Sequence, residues 1–173
     1  MNKTKRTVVA LALTPSLALA AVPAPSMPGA SALGSPSGCV RGFVQPSADG
    51  LTRALDAAKA RWQAAHITAY SYLLEEVSQP VRFPRTKVTV TGGSVKAEPL
   101  EEGQTSAFSR QATVEGLFSS IEQSIAYARK NPCVEVRVAY GLNGHPVKFS
   151  SFQRKVGLAD GGATWTVTGF KRQ

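Results

Sequence analysis

The chain has 173 residues, a formal net charge of +9, two cysteines and two histidines. Two histidines and two cysteines that can pair with each other are too few for a zinc site, so we expect no metal. Basic residues are scattered and stand beside aromatics only in FQRK and FKRQ, which is too weak a pattern to predict nucleic-acid binding.

Residues 1–20 have the three parts of a secretory signal peptide. A positive segment at 3–6 precedes an apolar run at 7–20, and the run ends in an A-x-A cleavage site at 18–20. The apolar run is too short to span a bilayer. We therefore expect export to the periplasm or the extracellular space, with no transmembrane segment in the mature chain.

Residues 21–38 carry no charge and are rich in proline, glycine and serine, which predicts a linker. The remaining residues, 39–173, are enough for a single folded domain with one hydrophobic core. After the predicted cleavage, 17 basic residues face 11 acidic ones. Such a basic exported protein could bind an envelope protein or an anionic cell-surface component.

Cys39 lies where the linker ends, and Cys133 lies where a later strand begins. Export places the chain in an oxidising environment, and an even cysteine count allows one disulfide. The Cys39–Cys133 bridge would close a loop of about 94 residues and stabilise the fold by roughly 4 kcal/mol. We therefore predict a disulfide rather than a nucleophilic cysteine, because neither sequence context supplies a base.

A first amphipathic helix is predicted over residues 51–67, with Ser47 or Asp49 as the cap at its start. Trp62 is the largest residue of its apolar stripe and is expected to anchor the core. The stripe contains Leu51, Ala54, Leu55, Ala58, Trp62 and Ala65.

Three strands follow the first helix. Alternation of side chains predicts a strand over residues 68–77, and two prolines predict a break over residues 78–85. The next two strands form a hairpin, because Gly92-Gly93 permits positive φ at both turn positions. The segment 98–112 is polar and is predicted to be a surface loop, with Glu98, Glu101 and Glu102 as weak candidates for a binding site.

Thr113 caps a second predicted helix that stops at Asn131-Pro132. Its predicted buried stripe contains Val114, Leu117, Phe118, Ile121, Ile125 and Ala128. Three more strands complete the chain, at about residues 133–140, 145–152 and 163–170. His145 follows Asn143-Gly144 in the turn between the first two, and we expect it to be exposed at the rim, as a weak binding candidate.

The predicted order is helix, three strands, helix, three strands. Each sheet segment has an apolar face to cover, and each helix has one apolar stripe. We therefore predict an α+β fold of two layers, an antiparallel sheet of about six strands with both helices packed on one face.

Several short motifs follow one another between residues 62 and 170. The first half has Trp62, Tyr70, Tyr72, Val88, Val90, Gly93 and Val95. The second half has Thr113–Ile121, Val136, Val138, Tyr140, Gly144, Pro146, Val167 and Phe170. In their order and spacing these motifs resemble the bacterial exported family called domain of unknown function 6174. The resemblance implies an exported location and a fold, and it implies no activity.

The chain departs from that family pattern at two places. Gly141 stands where relatives typically have aspartate, and Ser150–Gln153 has no aspartate where relatives tend to carry one. A role that depended on those acids would be absent from this protein.

The chain has no G-x-S-x-G, P-loop or G-x-G-x-x-G motif, and we expect no cofactor. The favoured interpretation is a non-enzymatic protein that binds a partner through its sheet or through the 98–112 loop. One alternative is a hydrolase-like enzyme that uses His145 with Glu98, Glu101 or Asp160. A second alternative is a structural protein without a defined ligand, and the oligomeric state is left open.

Overall fold

The computed structural model describes residues 38–101, 112–157 and 161–173. The predicted signal peptide and residues 21–37 of the predicted linker lie outside the described residues and remain predictions. Within the described residues, no helix combines the length and the apolar character that crossing a bilayer requires.

The first helix, α1, spans Ala48–Ala64 and begins at Ser47, one of the two predicted caps. The Ser47 hydroxyl accepts a hydrogen bond from the Gly50 amide, which satisfies one of the free N–H groups of the first turn. Ala65 caps the end of the helix, so the predicted end at residue 67 is wrong, and His66 follows the cap with a φ of 47°. Of the predicted apolar stripe, Leu55, Ala58 and Trp62 are buried and Leu51 and Ala65 are half-buried, whereas Ala54 is exposed and does not belong to it.

The second helix, α2, spans Val114–Lys130 and is capped by Thr113, as predicted. The Thr113 hydroxyl accepts from the Gly116 amide at 2.9 Å. Glu115 lies in the first turn, and Arg129 and Lys130 lie in the last, so each charge suits its end of the helix dipole. All six residues of the predicted stripe are buried.

Seven antiparallel strands form one sheet. They are β1 Ala69–Ser78, β2 Val81–Arg82, β3 Thr86–Thr91, β4 Ser94–Pro99, β5 Val134–Tyr140, β6 Pro146–Gln153 and β7 Gly162–Arg172. Six of them follow the order β4-β3-β1-β7-β6-β5, and β2 pairs only with the end of β1. The prediction of about six strands is therefore confirmed, and the predicted break after β1 also contains the two-residue strand β2.

One face of the sheet, called the inner face, packs against the helices, and the other is called the open face. On β1 the side chains of Tyr70, Tyr72 and Leu74 point to the inner face, and each is 2% exposed. They form one core with the buried stripes of α1 and α2. Leu73 and Glu75 alternate with them and point to the open face.

The tyrosines of β1 hold the start of α2. The Tyr70 hydroxyl accepts a hydrogen bond from the Val114 amide at 3.0 Å. The Tyr72 hydroxyl donates to the Ala112 carbonyl. On the other helix, the Trp62 indole donates to the Glu115 carboxylate at 2.7 Å. These bonds fix both helices on the same face of the sheet.

Cys39 and Cys133 form the predicted disulfide, with their Cα atoms 5.2 Å apart. Cys39 also makes an isolated bridge with Lys155, just beyond β6. The Gln45 side chain donates to the carbonyls of Ala128 and Asn131 at the end of α2. The segment before α1 is therefore attached to the α2–β5 connection.

Candidate functional site

His145 lies in the core, so the prediction of an exposed histidine is wrong. Only 7% of the residue is exposed. Its ring stacks on the ring of Phe170, with centroids 4.0 Å apart and planes 18° from parallel. Burial lowers the pKa of His145, and the positive charge of Arg172 lowers it further. A histidine in this position is held neutral as part of the packing.

Gly141 makes room for the imidazole of His145. A Cβ atom at residue 141 would lie 2.3 Å from Cε1 of that ring. An aspartate could not occupy this position while the ring stays where it is. Gly141, the first expected departure from the family pattern, therefore packs directly against the histidine four residues later.

We expect His145 to make stability depend on pH. Because its pKa is lowered by folding, the folded state binds fewer protons than the unfolded state, whose histidine titrates near 6.5. The contribution of His145 to the free energy of unfolding is complete above about pH 6.5. It is lost as the pH falls towards the pKa of His145 in the folded state. The variant His145→Phe keeps a ring on Phe170 and should lose this dependence.

The measurement is the difference in free energy of unfolding between the parent chain and His145→Phe at pH 5, 6, 7 and 8. His66→Asn is the control, because His66 is exposed and asparagine tolerates its positive φ. If the difference in free energy of unfolding between the parent chain and His145→Phe stayed constant with pH, the lowered pKa of His145 would be contradicted.

The acidic candidates of the 98–112 segment do not form a cluster in the described residues. Glu98 belongs to β4, so the irregular segment begins after Pro99 rather than at residue 98. The Glu98 carboxylate pairs with Lys96 at 2.8 Å, and that bond lowers the pKa of Glu98. Glu101 ends the described part of this segment, and Glu102 lies outside it.

The described residues do not bring His145 together with Glu98. His145 directly precedes β6, whereas Glu98 lies on β4, and three strands separate β4 from β6 in the sheet. The Nδ1 atom of His145 is buried and has no hydrogen-bond partner among the described residues. Asp160, the other acid considered for a catalytic pair, lies outside the described residues.

A buried carboxylate with two arginines lies on the open face. The side chain of Glu135 is only 7% exposed, although it points away from the helices. One of its oxygens accepts from Arg137, and the other accepts from Arg154 at 2.6 Å. The Arg154 guanidinium also lies over the ring of Phe152, 5.3 Å from its centroid. We call these four residues the Glu135 cluster.

The cluster holds Glu135 ionised. Burial alone would raise the pKa of Glu135, but the hydrogen bonds from Arg154 and Arg137 outweigh it and hold the pKa below its usual range. The arginine heads remain accessible, since the side chains of Arg137 and Arg154 are 75% and 46% exposed. A shallow cavity of about 460 Å³ lies over the cluster and extends to Lys148.

The whole open face is basic. Strand register, ion pairs and a shared cavity place eight basic and four acidic residues of the described chain on it. The basic residues are Arg82, Arg85, Lys87, Lys96, Arg137, Lys148, Arg154 and Lys171, and the acidic ones are Glu75, Glu98, Glu101 and Glu135. Among the described residues of this face, basic ones therefore outnumber acidic ones by four.

A second concave site, the inner cleft, lies between α2 and the ends of β1, β6 and β7 on the helix side of the sheet. Its volume is about 490 Å³. The stacked rings of Phe149 and Trp165, 5.2 Å apart, form an apolar part of its wall. Ser120 and Ser124 line it from α2, and Glu76 lines it from β1.

Glu76 is the one charged residue among the described residues that line the inner cleft. Its Oε2 atom is buried and has no hydrogen-bond partner in the described part of the chain. Burial raises the pKa of Glu76 to about 7. The carboxyl group can therefore change its charge close to neutral pH.

Sequence reasoning missed both of these acids. For Glu76 a signal existed, because Tyr70, Tyr72, Leu74 and Glu76 follow one another at period two and share the inner face. An acid at a core-facing position is unusual. For Glu135 the nearby Arg137 was visible, but the contact from Arg154 depends on the pairing of β5 with β6.

The described residues form a two-layer α+β domain with one open sheet face, and they contain no group of three histidine, cysteine, aspartate or glutamate side chains that could hold a metal ion. The sequence model of the family of unknown function DUF6174 matches residues 54–172, nearly all of the folded part. The chain belongs to this family, which confirms the resemblance seen in its motifs. No curated protein matches the chain.

Proposed function

We propose that the protein is a non-enzymatic binding protein whose open sheet face docks an acidic segment of a partner protein. The Glu135 cluster is the observation that carries this proposal. Two guanidinium groups are already oriented by one buried carboxylate, so little side-chain entropy is lost when they bind a second carboxylate.

The arrangement suits a carboxylate ligand. Each arginine has five N–H donors, and Glu135 engages only some of them. The remaining donors of Arg137 and Arg154 face the shallow cavity, where Lys148 adds a third positive charge. A partner carboxylate in this cavity would form charge-assisted hydrogen bonds, which are the strong ones at interfaces.

The composition of the face favours a protein over a simple polyanion. Acidic residues interrupt the basic ones, and the half-buried Leu73, Val77 and Phe152 add apolar surface. A polyanion gains most from uninterrupted positive charge. Mixed arginine, aromatic and aliphatic surface is typical of protein interfaces.

We propose that this binding takes place outside the cytoplasm, at the envelope or in the extracellular space. The disulfide supports this location, because such bonds persist mainly in oxidising compartments. The predicted signal peptide supports it independently.

The test is a capture experiment with a charge-reversed variant. The double variant Arg137→Glu/Lys148→Glu should lose the proteins that the parent chain captures from the envelope fraction of producing cells. Circular dichroism checks that it folds, because Arg137→Glu removes one partner of the buried Glu135. Lys148→Glu alone leaves the Glu135 cluster intact and should weaken the capture. Arg53→Glu/Lys130→Glu is the matched control, because it changes the net charge equally on the exposed sides of the helices. This control variant should capture the same proteins as the parent chain.

Two results would count against the proposal. Recovery of the same proteins by both double variants would show that the open face is not the docking site. Binding to the polyanion heparin that falls equally in both variants, with no captured protein lost, would indicate attraction by net charge alone.

A further inference from the structure

We propose that the inner cleft binds a small organic amine, with its ammonium group on the Glu76 carboxylate and its apolar body against Phe149 and Trp165. This site lies on the face of the sheet opposite to the Glu135 cluster. It does not depend on the proposed function, and either proposal can fail without the other.

The first argument is the missing partner of Glu76. No lysine, arginine or histidine is among the described residues that line the cleft, although the chain as a whole is strongly basic. A buried carboxylate oxygen without a hydrogen bond is costly and calls for an explanation. The ammonium group of a ligand in the cleft would supply the donor that Glu76 lacks among the described residues.

The second argument is the shape and chemistry of the cleft. A volume of about 490 Å³ lies within the range of small-molecule sites. Leu117 and Val134 add to the apolar wall made by the two rings. An ammonium group has three N–H donors, so the hydroxyls of Ser120 and Ser124 can accept those that Glu76 leaves.

The third argument is that α2 keeps the cleft open. Gly116, Ser120 and Ser124 lie four residues apart and line the cleft, so they form one row of small residues along the helix. Because all three residues line the cleft, a large side chain in this row would take up part of its volume. A divalent metal ion is the less suitable occupant, because it needs several carboxylate or carbonyl oxygens and the described lining offers one carboxylate.

The proposal predicts a specific dependence on pH. Tyr127 of α2 is the other titratable side chain among the described residues that line the inner cleft. Glu76 also lines a cavity on the opposite side of β1, together with the charged residues Glu75, Arg82, Arg85 and Glu101. Since the pKa of Glu76 is about 7, its ionised fraction rises from ~10% at pH 6 to ~90% at pH 8. Amine affinity should therefore increase about tenfold over this range.

The probe is 2-phenylethylamine, which stays protonated at these pH values, and 2-phenylethanol is its neutral counterpart. Binding is followed by NMR of the full-length, 15N-labelled chain, through the Trp165 indole and the amides of Ser120 and Ser124. We expect saturable shifts with the amine and at least tenfold weaker binding of the alcohol at pH 8. Absence of shifts with the amine would overturn the proposal.

The neighbouring glutamates on β1 provide the matched variants. Glu76→Gln should lower amine affinity at least tenfold and abolish its pH dependence, whereas Glu75→Gln, on the open face beside Arg85, should leave both unchanged. Ser124→Leu should block binding by filling the cleft, and circular dichroism checks that it folds. Equal affinity in Glu76→Gln and the parent chain, or undiminished binding in folded Ser124→Leu, would contradict the assignment.

Discussion

Removal of the Cys39–Cys133 disulfide is expected to lower the free energy of unfolding by about 4–5 kcal/mol. The bridge joins residues 94 positions apart. In the unfolded state it therefore restrains most of residues 39–173. A domain of this size has about 5–15 kcal/mol of total stability. The variant Cys39→Ala/Cys133→Ala should therefore unfold at a much lower denaturant concentration, or be partly unfolded without denaturant.

The measurement is urea unfolding followed by tryptophan fluorescence, which reports on the core through Trp62 and Trp165. The parent chain treated with reductant should behave like the double variant. Gln45→Ala is the control for a purely local effect, because the Gln45 amide attaches the same segment to the end of α2. It should cost only about 1 kcal/mol. If the double cysteine variant lost no more free energy of unfolding than Gln45→Ala, the disulfide would do no more than hold this segment.

The helices and hairpins could be predicted because their signals are local. The six-residue stripe of α2 recurs at helical spacing, and every member is buried. Gly92 and Gly93 both adopt positive φ, as a two-residue turn between twisted strands requires. Ser47 and Thr113 cap the helices with side-chain oxygens. Each of these features depends on residues that are close to one another in the sequence.

The sites could not be predicted in the same way, because they form between strands that are distant in sequence. The burial of His145 requires Phe170, which reaches it only because β7 pairs with both β1 and β6. The charge of Glu135 is paired with Arg154, which directly follows the neighbouring strand β6. In both cases the residue can be seen in the sequence, but its neighbours in space depend on the order of the strands in the sheet.

β1 connects the two proposed binding sites. Glu75 points to the open face and pairs with Arg85, whereas Glu76 points to the inner cleft. Adjacent residues of one strand therefore serve opposite faces, which follows from the period of two. A ligand in the inner cleft would lie within one strand thickness of the docking face. Substitutions of Glu75 and Glu76 therefore act on opposite faces of the sheet, although the two residues are adjacent in sequence.

A substitution at Gly144 is expected to be the most damaging change in the β5–β6 hairpin. The tip of the hairpin lies directly against α1, where Ala58 is completely buried. A Cβ atom at residue 144 would lie 2.1 Å from the carbonyl oxygen of Ala58 and 2.8 Å from the amide nitrogen of Trp62. Both are backbone atoms, so a rotamer change cannot relieve the clash.

Gly144→Ala should therefore lower the free energy of unfolding by about 3 kcal/mol or more, through the clash and the strain of a positive φ together. Gly93→Ala separates the two causes. Gly93 has a φ of 81°, close to the 87° of Gly144, and its Cβ would meet no atom within 4 Å. Gly93→Ala should lower the free energy of unfolding by only about 1 kcal/mol, through backbone strain. Urea unfolding of the two variants gives the comparison, and equal losses would mean that α1 does not constrain the hairpin tip. A much larger loss at Gly144 would show that this glycine, next to the buried histidine, is required for the contact between the hairpin and α1.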